Sequence, residues 1–178
     1  MVGNKSYPEN LRIIGAADNG SIINGISITS GIQMQDIYKQ AASGDLNGYR
    51  ISDITKAIMP KGLCLEGIYF GKPFCVRNCD ISDITVKNCT FGPGANIQLV
   101  PNSSKDDHGD DGSSRLGTVR NFATRYAHNT TISRCTFMDC YPLEGAKTTY
   151  GKHAVYASTI DGITINNCTV HKAAHNGF

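Results

Sequence analysis

The sequence contains no run of basic residues, no tryptophan and no long apolar segment. Its 17 Lys and Arg residues are scattered against 15 Asp and Glu residues, so the formal charge is only +2 and gives no basic patch for nucleic acid or an anionic membrane. No apolar stretch approaches the roughly 20 residues of a membrane-spanning helix, and the first residues, MVGNK, lack the apolar core of a secretion signal. We therefore expect a soluble chain without membrane insertion or a nucleic-acid partner.

The cysteines lack the paired spacing of a zinc site. There are seven, an odd number, and four of them (Cys79, Cys89, Cys135 and Cys168) occupy matched places in apolar repeats. This pattern is typical of buried, reduced thiols that act as small hydrophobic residues, which a protein assembled in a reducing cytosol keeps unpaired. A length of 178 residues suits a single domain spanning residues 1–178.

One eight-residue motif occurs three times in the sequence. Residues 84–91, 130–137 and 163–170 read ITVKNCTF, TTISRCTF and ITINNCTV. In each copy the apolar positions alternate, skip one place and alternate again, as two short strands joined by a one-residue bend would. The bend residue is Asn in two copies, and Asn tolerates the left-handed conformation better than most residues. We expect Ile, Val, Cys and Phe to point inward and Thr and Lys outward.

The copies begin at positions 84, 130 and 163, intervals of 46 and 33 residues, and a polar insert over 101–118 accounts for the longer one. Such spacing indicates stacked coils that bury one another's apolar faces. A weaker copy, ISDIT, stands at 51–55, and residues 20–31 show strand alternation with Ile22, Ile26 and Ile28. A short helix is predicted around 30–44.

Two repeat architectures fit this pattern. The apolar spacing of residues 81–91 matches the leucine-rich repeat, but the chain has only 7 Leu beside 19 Ile, and its intervals exceed the 20 to 29 residues of that repeat. The connecting stretches show no amphipathic helix pattern and are rich in Gly, Asn, Ser and Thr. We therefore predict an all-β right-handed parallel β-helix, and a leucine-rich interaction module is the alternative.

The segments DISDITVKNCTF (80–91) and STIDGITINNCTVHKAAHNGF (158–178) resemble rungs of the right-handed parallel β-helix superfamily. That superfamily includes pectate lyases, polygalacturonases, epimerases and phage tail spikes. The resemblance implies a β-solenoid, polysaccharide as the partner and, for a tail spike, a homotrimer. The chain shows no polar cap at either end, so we expect it to be a segment of a longer chain or a subunit of an oligomer.

The polar insert holds the densest group of carboxylates. Glycoside hydrolysis needs two carboxyl groups, one protonated and one ionised, and Asp110 and Asp111 are the candidate pair. Residues 109–112 (GDDG) are similar to the glycine-aspartate-aspartate element of polygalacturonases, and His153 is similar to the histidine of their glycine-histidine-glycine element. Asp106 and Asp107 are candidate ligands for Ca²⁺, although no cofactor is required. The alternative interpretation is a solvated acidic loop.

A second group of candidates combines aromatic rings with polar side chains. A sugar-binding groove uses aromatic faces for the apolar side of a pyranose and fixed donors for its hydroxyls. The candidate substrate-binding residues are Tyr126, Lys152, Tyr156, His171 and Lys172. Lys152 or Lys172 could also act as the base of a lyase. The alternative is that these are ordinary outward side chains of a solenoid.

These features lead to one predicted function and two alternatives. We expect a bacteriophage tail spike or fibre protein that is part of the virion and is assembled in the bacterial cytoplasm. Its expected role is to bind cell-surface polysaccharide, and some tail spikes also depolymerise the polysaccharide that they bind. The first alternative is an extracellular polysaccharide lyase or glycoside hydrolase of the pectate lyase or polygalacturonase type. The second is the leucine-rich interaction module.

Overall fold

The computed structural model describes residues 9–16, 20–29, 61–77, 81–101, 127–140, 153–158 and 160–173. Within these ranges the chain forms short β-strands and turns and contains no helix. The predicted helix at 30–44, the weaker repeat at 51–55 and the polar insert beyond Pro101 lie outside the described residues. The described part of the chain is all-β, as predicted.

In the described part of the chain, fifteen strands form three sheets, and all of their pairings are parallel. Sheet A contains β1 (Arg12–Ile14), β4 (Cys64–Glu66), β7 (Ile81–Ser82), β8 (Thr85–Lys87), β11 (Ala127–Ser133) and β14 (Ile160–Asn166). Sheet B contains β2 (Ser21–Ile23), β5 (Ile68–Phe70), β9 (Thr90–Phe91), β12 (Thr136–Phe137) and β15 (Thr169–Val170). Sheet C contains β3 (Ile26–Thr29), β6 (Phe74–Arg77), β10 (Ile97–Val100) and β13 (Val155–Ala157).

The chain visits the three sheets in a fixed cyclic order, from A to B to C. We call each passage a rung: rung 1 is β1–β3, rung 2 is β4–β6, rung 3 is β7–β10, rung 4 is β11–β13 and rung 5 is β14–β15. Each strand pairs with its equivalents in the neighbouring rungs. This arrangement is compatible with a parallel β-solenoid. Residues 85–100 carry three strands and no helix, whereas a leucine-rich repeat alternates a strand with a helical or 3₁₀ segment.

The pairing register reproduces the sequence repeat. Val86 pairs with Ile132, which pairs with Ile165. The second strand of each copy, in sheet B, pairs in the same register. The predicted alignment of the three copies is therefore confirmed. A fourth copy, LCLEGIYF at 63–70, was missed by the sequence analysis, and its Leu65 pairs with Val86.

The predicted bend is also confirmed. The residue at the skipped position has a positive φ in four rungs: Gly67 (65°), Asn88 (52°), Arg134 (51°) and Asn167 (51°). The backbone N–H of each of the first three donates to a carbonyl in the following rung, over 3.0 to 3.2 Å. The left-handed turn therefore redirects the chain from sheet A to sheet B without leaving its N–H unpaired.

The core is a set of ladders of equivalent side chains between the sheets. Phe70, Phe91 and Phe137 stack in sequence, with ring centroids 4.8 Å apart and planes within 10° of each other. Burying a side chain of this size contributes about 1.5–3 kcal/mol, and a stacked pair adds about 0.5–1.5 kcal/mol. The alternation over residues 20–31 grouped Ile22 with Ile26 and Ile28, but Ile22 is 70% exposed, and it is Ile23 that pairs with Phe70 and packs against the core.

The cysteines of the repeat form a ladder of reduced thiols. Cys89 and Cys135 are buried and Cys168 is half-buried, and none of the three forms a disulfide. Each Sγ donates toward a carbonyl of the preceding rung, at distances of 3.6 to 3.7 Å. The hydrogen bond with the neighbouring Cys89 thiol, together with burial, raises the pKa of Cys135, which keeps that thiol protonated. Cys79 lies outside the described residues.

Candidate functional site

The structure describes four of the candidate site residues predicted from the sequence. His153 precedes β13 of sheet C by two residues and Tyr156 lies within that strand, whereas His171 and Lys172 follow β15 in sheet B. The remaining candidates lie outside the described residues: Asp106, Asp107, Asp110, Asp111, Tyr126 and Lys152.

His153 and Tyr156 lie side by side. Their ring centroids are 5.5 Å apart and their planes are tilted by 49°. Tyr156 is the central residue of β13 and pairs with Gln98 of β10, which in turn pairs with Cys75 of β6. Equivalent positions on parallel strands are about 4.8 Å apart, so Cys75, Gln98 and Tyr156 form a continuous row across three rungs.

A chain of hydrogen bonds fixes the polar groups beside this row. Arg77 Nη2 donates to Gln98 Oε1 over 2.9 Å, and Gln98 Nε2 donates to Asn96 Oδ1 over 3.0 Å. Asn96 Nδ2 then donates to the backbone carbonyl of His153 over 3.0 Å. Asn96 is fully buried and Gln98 is 6% exposed, so both amides are held in one orientation. The network connects β6, β10 and the residues before β13.

We define the sheet C polar row as Cys75, Arg77, Gln98, His153 and Tyr156. Arg77 is exposed and keeps a planar array of N–H donors that suits hydroxyl or carboxylate oxygens. Cys75 Sγ donates to Gln98 Oε1 over 3.4 Å. Burial raises the pKa of Cys75 despite the nearby guanidinium, so its thiol is a weak donor rather than a thiolate nucleophile.

His171 and Lys172 occupy a different place. They lie at the corner after sheet B, where the backbone N–H of His171 donates to the carbonyl of Phe137 over 3.0 Å. Lys172 Nζ lies 3.9 Å from Asp139 Oδ1. Both partners of this ion pair are substantially exposed, so the pair contributes at most about 1 kcal/mol. Burial, with the adjacent Asp139 carboxylate, raises the pKa of Cys140 below this corner.

Arg77, Asn96 and Gln98 were not among the candidate site residues predicted from the sequence. A signal for Gln98 is present, because it stands between Ile97 and Leu99 in a strand whose four residues are all buried. A polar side chain at such a position needs a hydrogen-bonding partner. Its partners come from residues distant in the chain, so the sequence alone identifies the need and not the network.

Within the described ranges, no cluster of three or more His, Cys, Asp or Glu side chains is arranged to hold a metal ion. The same part of the chain has no helix with the length and apolar character needed to cross a membrane. Comparison with protein-family models, with curated proteins and with solved structures found no match to this chain.

Proposed function

We propose that the chain is a right-handed parallel β-helix of the tail spike or fibre type and that it binds polysaccharide. The cyclic order of the three parallel sheets supports the fold. Crossovers between parallel strands of one sheet are right-handed in about 98% of cases, which supports the handedness. Reduced cysteines in the core support assembly in a reducing bacterial cytoplasm, with export as part of a virion.

The sheet C polar row is the observation that carries the binding proposal. It combines the aromatic ring of Tyr156 and the imidazole of His153 with the cationic fork of Arg77, which the buried amide of Gln98 holds in place. An aromatic ring covers the apolar face of a sugar, and the polar groups bind its hydroxyl or carboxylate oxygens. Because the row runs across successive strands, it suits an extended chain of sugars better than a single small molecule.

Measuring the affinity of the purified chain for a panel of bacterial surface polysaccharides, by affinity electrophoresis and calorimetry, tests this proposal. We expect Tyr156→Ala and Arg77→Ala each to weaken binding about tenfold, equivalent to about 1.4 kcal/mol. Tyr69→Ala on sheet B and Lys87→Ala on sheet A are matched controls and should bind like the unmodified chain. Unchanged affinity in Tyr156→Ala, with an intact circular dichroism spectrum, would overturn the assignment of the surface.

Depolymerase activity is a separate proposal for Asp110, Asp111 and His153. An assay for newly formed reducing ends on the bound polysaccharide measures it directly. We expect Asp110→Asn and Asp111→Asn to abolish cleavage and leave binding intact, because a catalytic carboxylate must change its protonation or act as a nucleophile. Turnover that persists in both variants would contradict the catalytic assignment.

The resemblance to tail spikes also implies a homotrimer. Sedimentation analysis of the chain tests this proposed homotrimer.

A further inference from the structure

Sheet A brings together three side chains that the sequence analysis did not select. Ser82 of β7 pairs with His128 of β11, and His128 pairs with Asp161 of β14. The preceding residues, Ile81 and Ala127, are buried in the core. Because side chains alternate along a strand, Ser82, His128 and Asp161 all project from the outer face. They form one row in the order Ser, His, Asp, with His128 in the middle.

The contact between His128 and Asp161 is short. His128 Nδ1 lies 2.8 Å from Asp161 Oδ2. A carboxylate at this distance accepts the proton of Nδ1 and leaves Nε2 as the basic nitrogen of the ring. The contact therefore orients the imidazole in the way that a carboxylate orients the base of a serine hydrolase.

Two bends fix the backbone that follows Ser82 and His128. Asp83 and Asn129 follow Ser82 and His128, and both have a positive φ, of 56° and 49°. The backbone N–H of Asp83 donates to the carbonyl of His128 over 3.1 Å, and Asn129 Nδ2 donates to Asp83 Oδ1 over 3.3 Å. These bonds lock the two bends to each other. Ser82 and His128 therefore start from backbones fixed about one strand spacing, 4.8 Å, apart.

A cation lies on the other side of Ser82. Lys61 forms an isolated parallel bridge with Ser82, so the order along this face is Lys61, Ser82, His128, Asp161. The four-carbon stem of a lysine spans the distance between neighbouring strands and allows its ammonium group to reach an oxygen bound near Ser82. A positive charge within that reach would stabilise the negatively charged oxygen that develops during attack by the serine.

We propose that Ser82, His128 and Asp161 form a nucleophile, base and orienting carboxylate that hydrolyse carboxylic esters with short acyl groups. The Ser82 Oγ attacks the acyl carbon while His128 Nε2 takes its proton, and Lys61 stabilises the resulting oxyanion. The ester C–O bond then breaks, and His128 returns the proton to the leaving alcohol. Water, deprotonated by His128 Nε2, then attacks the acyl carbon. The bond between that carbon and Ser82 Oγ breaks, His128 returns the proton to Oγ, and the carboxylic acid is released.

The position of the row defines the class of ester. The row lies on the open outer face of a sheet, and the side chains of Ser82 and His128 are only partly covered. Such a site suits a small acyl group that projects from a larger hydroxylated molecule. The proposal does not require polysaccharide binding by sheet C, and loss of either activity leaves the other measurable.

The test uses the complete chain, 4-nitrophenyl acetate as substrate and a fluorophosphonate as a serine-directed probe. We expect hydrolysis above the rate of the buffer and a single probe adduct, which peptide mass spectrometry places on Ser82. Ser82→Ala should remove the adduct and lower hydrolysis at least 100-fold, and Asp161→Asn should lower it about 100- to 10,000-fold because the imidazole loses its orientation. Lys61→Met should slow hydrolysis about tenfold and keep the adduct.

The matched control is Ser133→Ala. Ser133 also projects from β11 of sheet A, but its register partners are Lys87 and Asn166, with no histidine beside it. This variant should label and hydrolyse like the unmodified chain. An unmodified chain without an adduct at Ser82, or equal hydrolysis in folded Ser82→Ala, would overturn the proposal. If Ser82→Ala fails to fold, the location of the adduct on the unmodified chain still decides the question.

Discussion

Rungs 4 and 5 carry the same repeat in matched register, yet of these two only rung 4 has its inward-facing side chains fully buried. Ile132 is 0% exposed, whereas its partner Ile165 in rung 5 is only partly buried and packs at the edge of the core. Ile163 of rung 5 is 38% exposed, although its partner Thr130 is 1% exposed. In the part of the chain that the structure describes, rung 4 has a neighbour on each side and rung 5 has one. The burial of a side chain therefore depends on its neighbouring rungs as much as on its own sequence.

The largest difference is expected from one substitution made in both rungs. Ile132→Ala should lower the free energy of unfolding by about 3 kcal/mol, because it removes buried methyl groups and leaves a cavity between two rungs. Ile165→Ala should lower it by about 1 kcal/mol, since solvent already reaches that site. Urea titration followed by circular dichroism measures both values. Equal losses would show that rung 5 is covered as completely as rung 4.

The thiol ladder provides a second comparison of the two rungs. Native-state alkylation with iodoacetamide at pH 8 should modify Cys168 at least about tenfold faster than Cys135, because the thiolate is the reactive form and Cys135 is buried. The hydrogen bond with the Cys89 thiol and burial both raise the pKa of Cys135, so increasing the pH toward 9 should not produce a fast phase of alkylation at that residue. Peptide mass spectrometry follows each site, with half-buried Cys64 as the control. Similar alkylation rates at Cys135 and Cys168 would contradict the difference in burial between the two thiols.

The smallest expected effect is a gain in stability within rung 4. Thr130 places a buried hydroxyl where rungs 3 and 5 have Ile84 and Ile163, and this Oγ1 has no hydrogen-bond partner in the described structure. Thr130→Val should raise the free energy of unfolding by about 1 kcal/mol, because it removes the cost of burying an unpaired polar group. Thr131→Val, on the outward face, should change it by less than about 0.5 kcal/mol. A lower free energy of unfolding in Thr130→Val would show that the Thr130 hydroxyl takes part in a hydrogen bond.

The repeat was predictable because its physical requirements are local. Alternation places apolar side chains on one face, and the bend requires a residue that tolerates a positive φ. The copy at 63–70 was missed because Gly67 replaces Asn at the bend and Ile68 replaces Cys after it. Both replacements satisfy the same requirements, a residue that tolerates a positive φ and then an apolar side chain. The backbone conformation is therefore the same from rung to rung although the amino acids differ. Arg134 shows the same point, since it adopts the bend with a φ of 51°.

The candidate surfaces were less predictable because they depend on contacts across rungs. His153 and Tyr156 were selected singly, but their connection to Gln98 runs through Asn96, which is 57 positions from His153 in the sequence. The segments between equivalent strands differ in length from one rung to the next. A fixed repeat period therefore does not identify the partner of a sheet C residue.

The sequence by itself determined the strand alternation, the left-handed bend and the apolar identity of the core positions. These follow from the two-residue period of a strand and from the steric limits on each residue. Only the tertiary structure decided which polar side chains share a face. Parallel pairing in register aligns Ser82 with His128 and Asp161, and Gln98 with Tyr156, across long intervals of sequence. The proposed binding and catalytic sites depend on those rows, because each strand contributes only one outward side chain to each row.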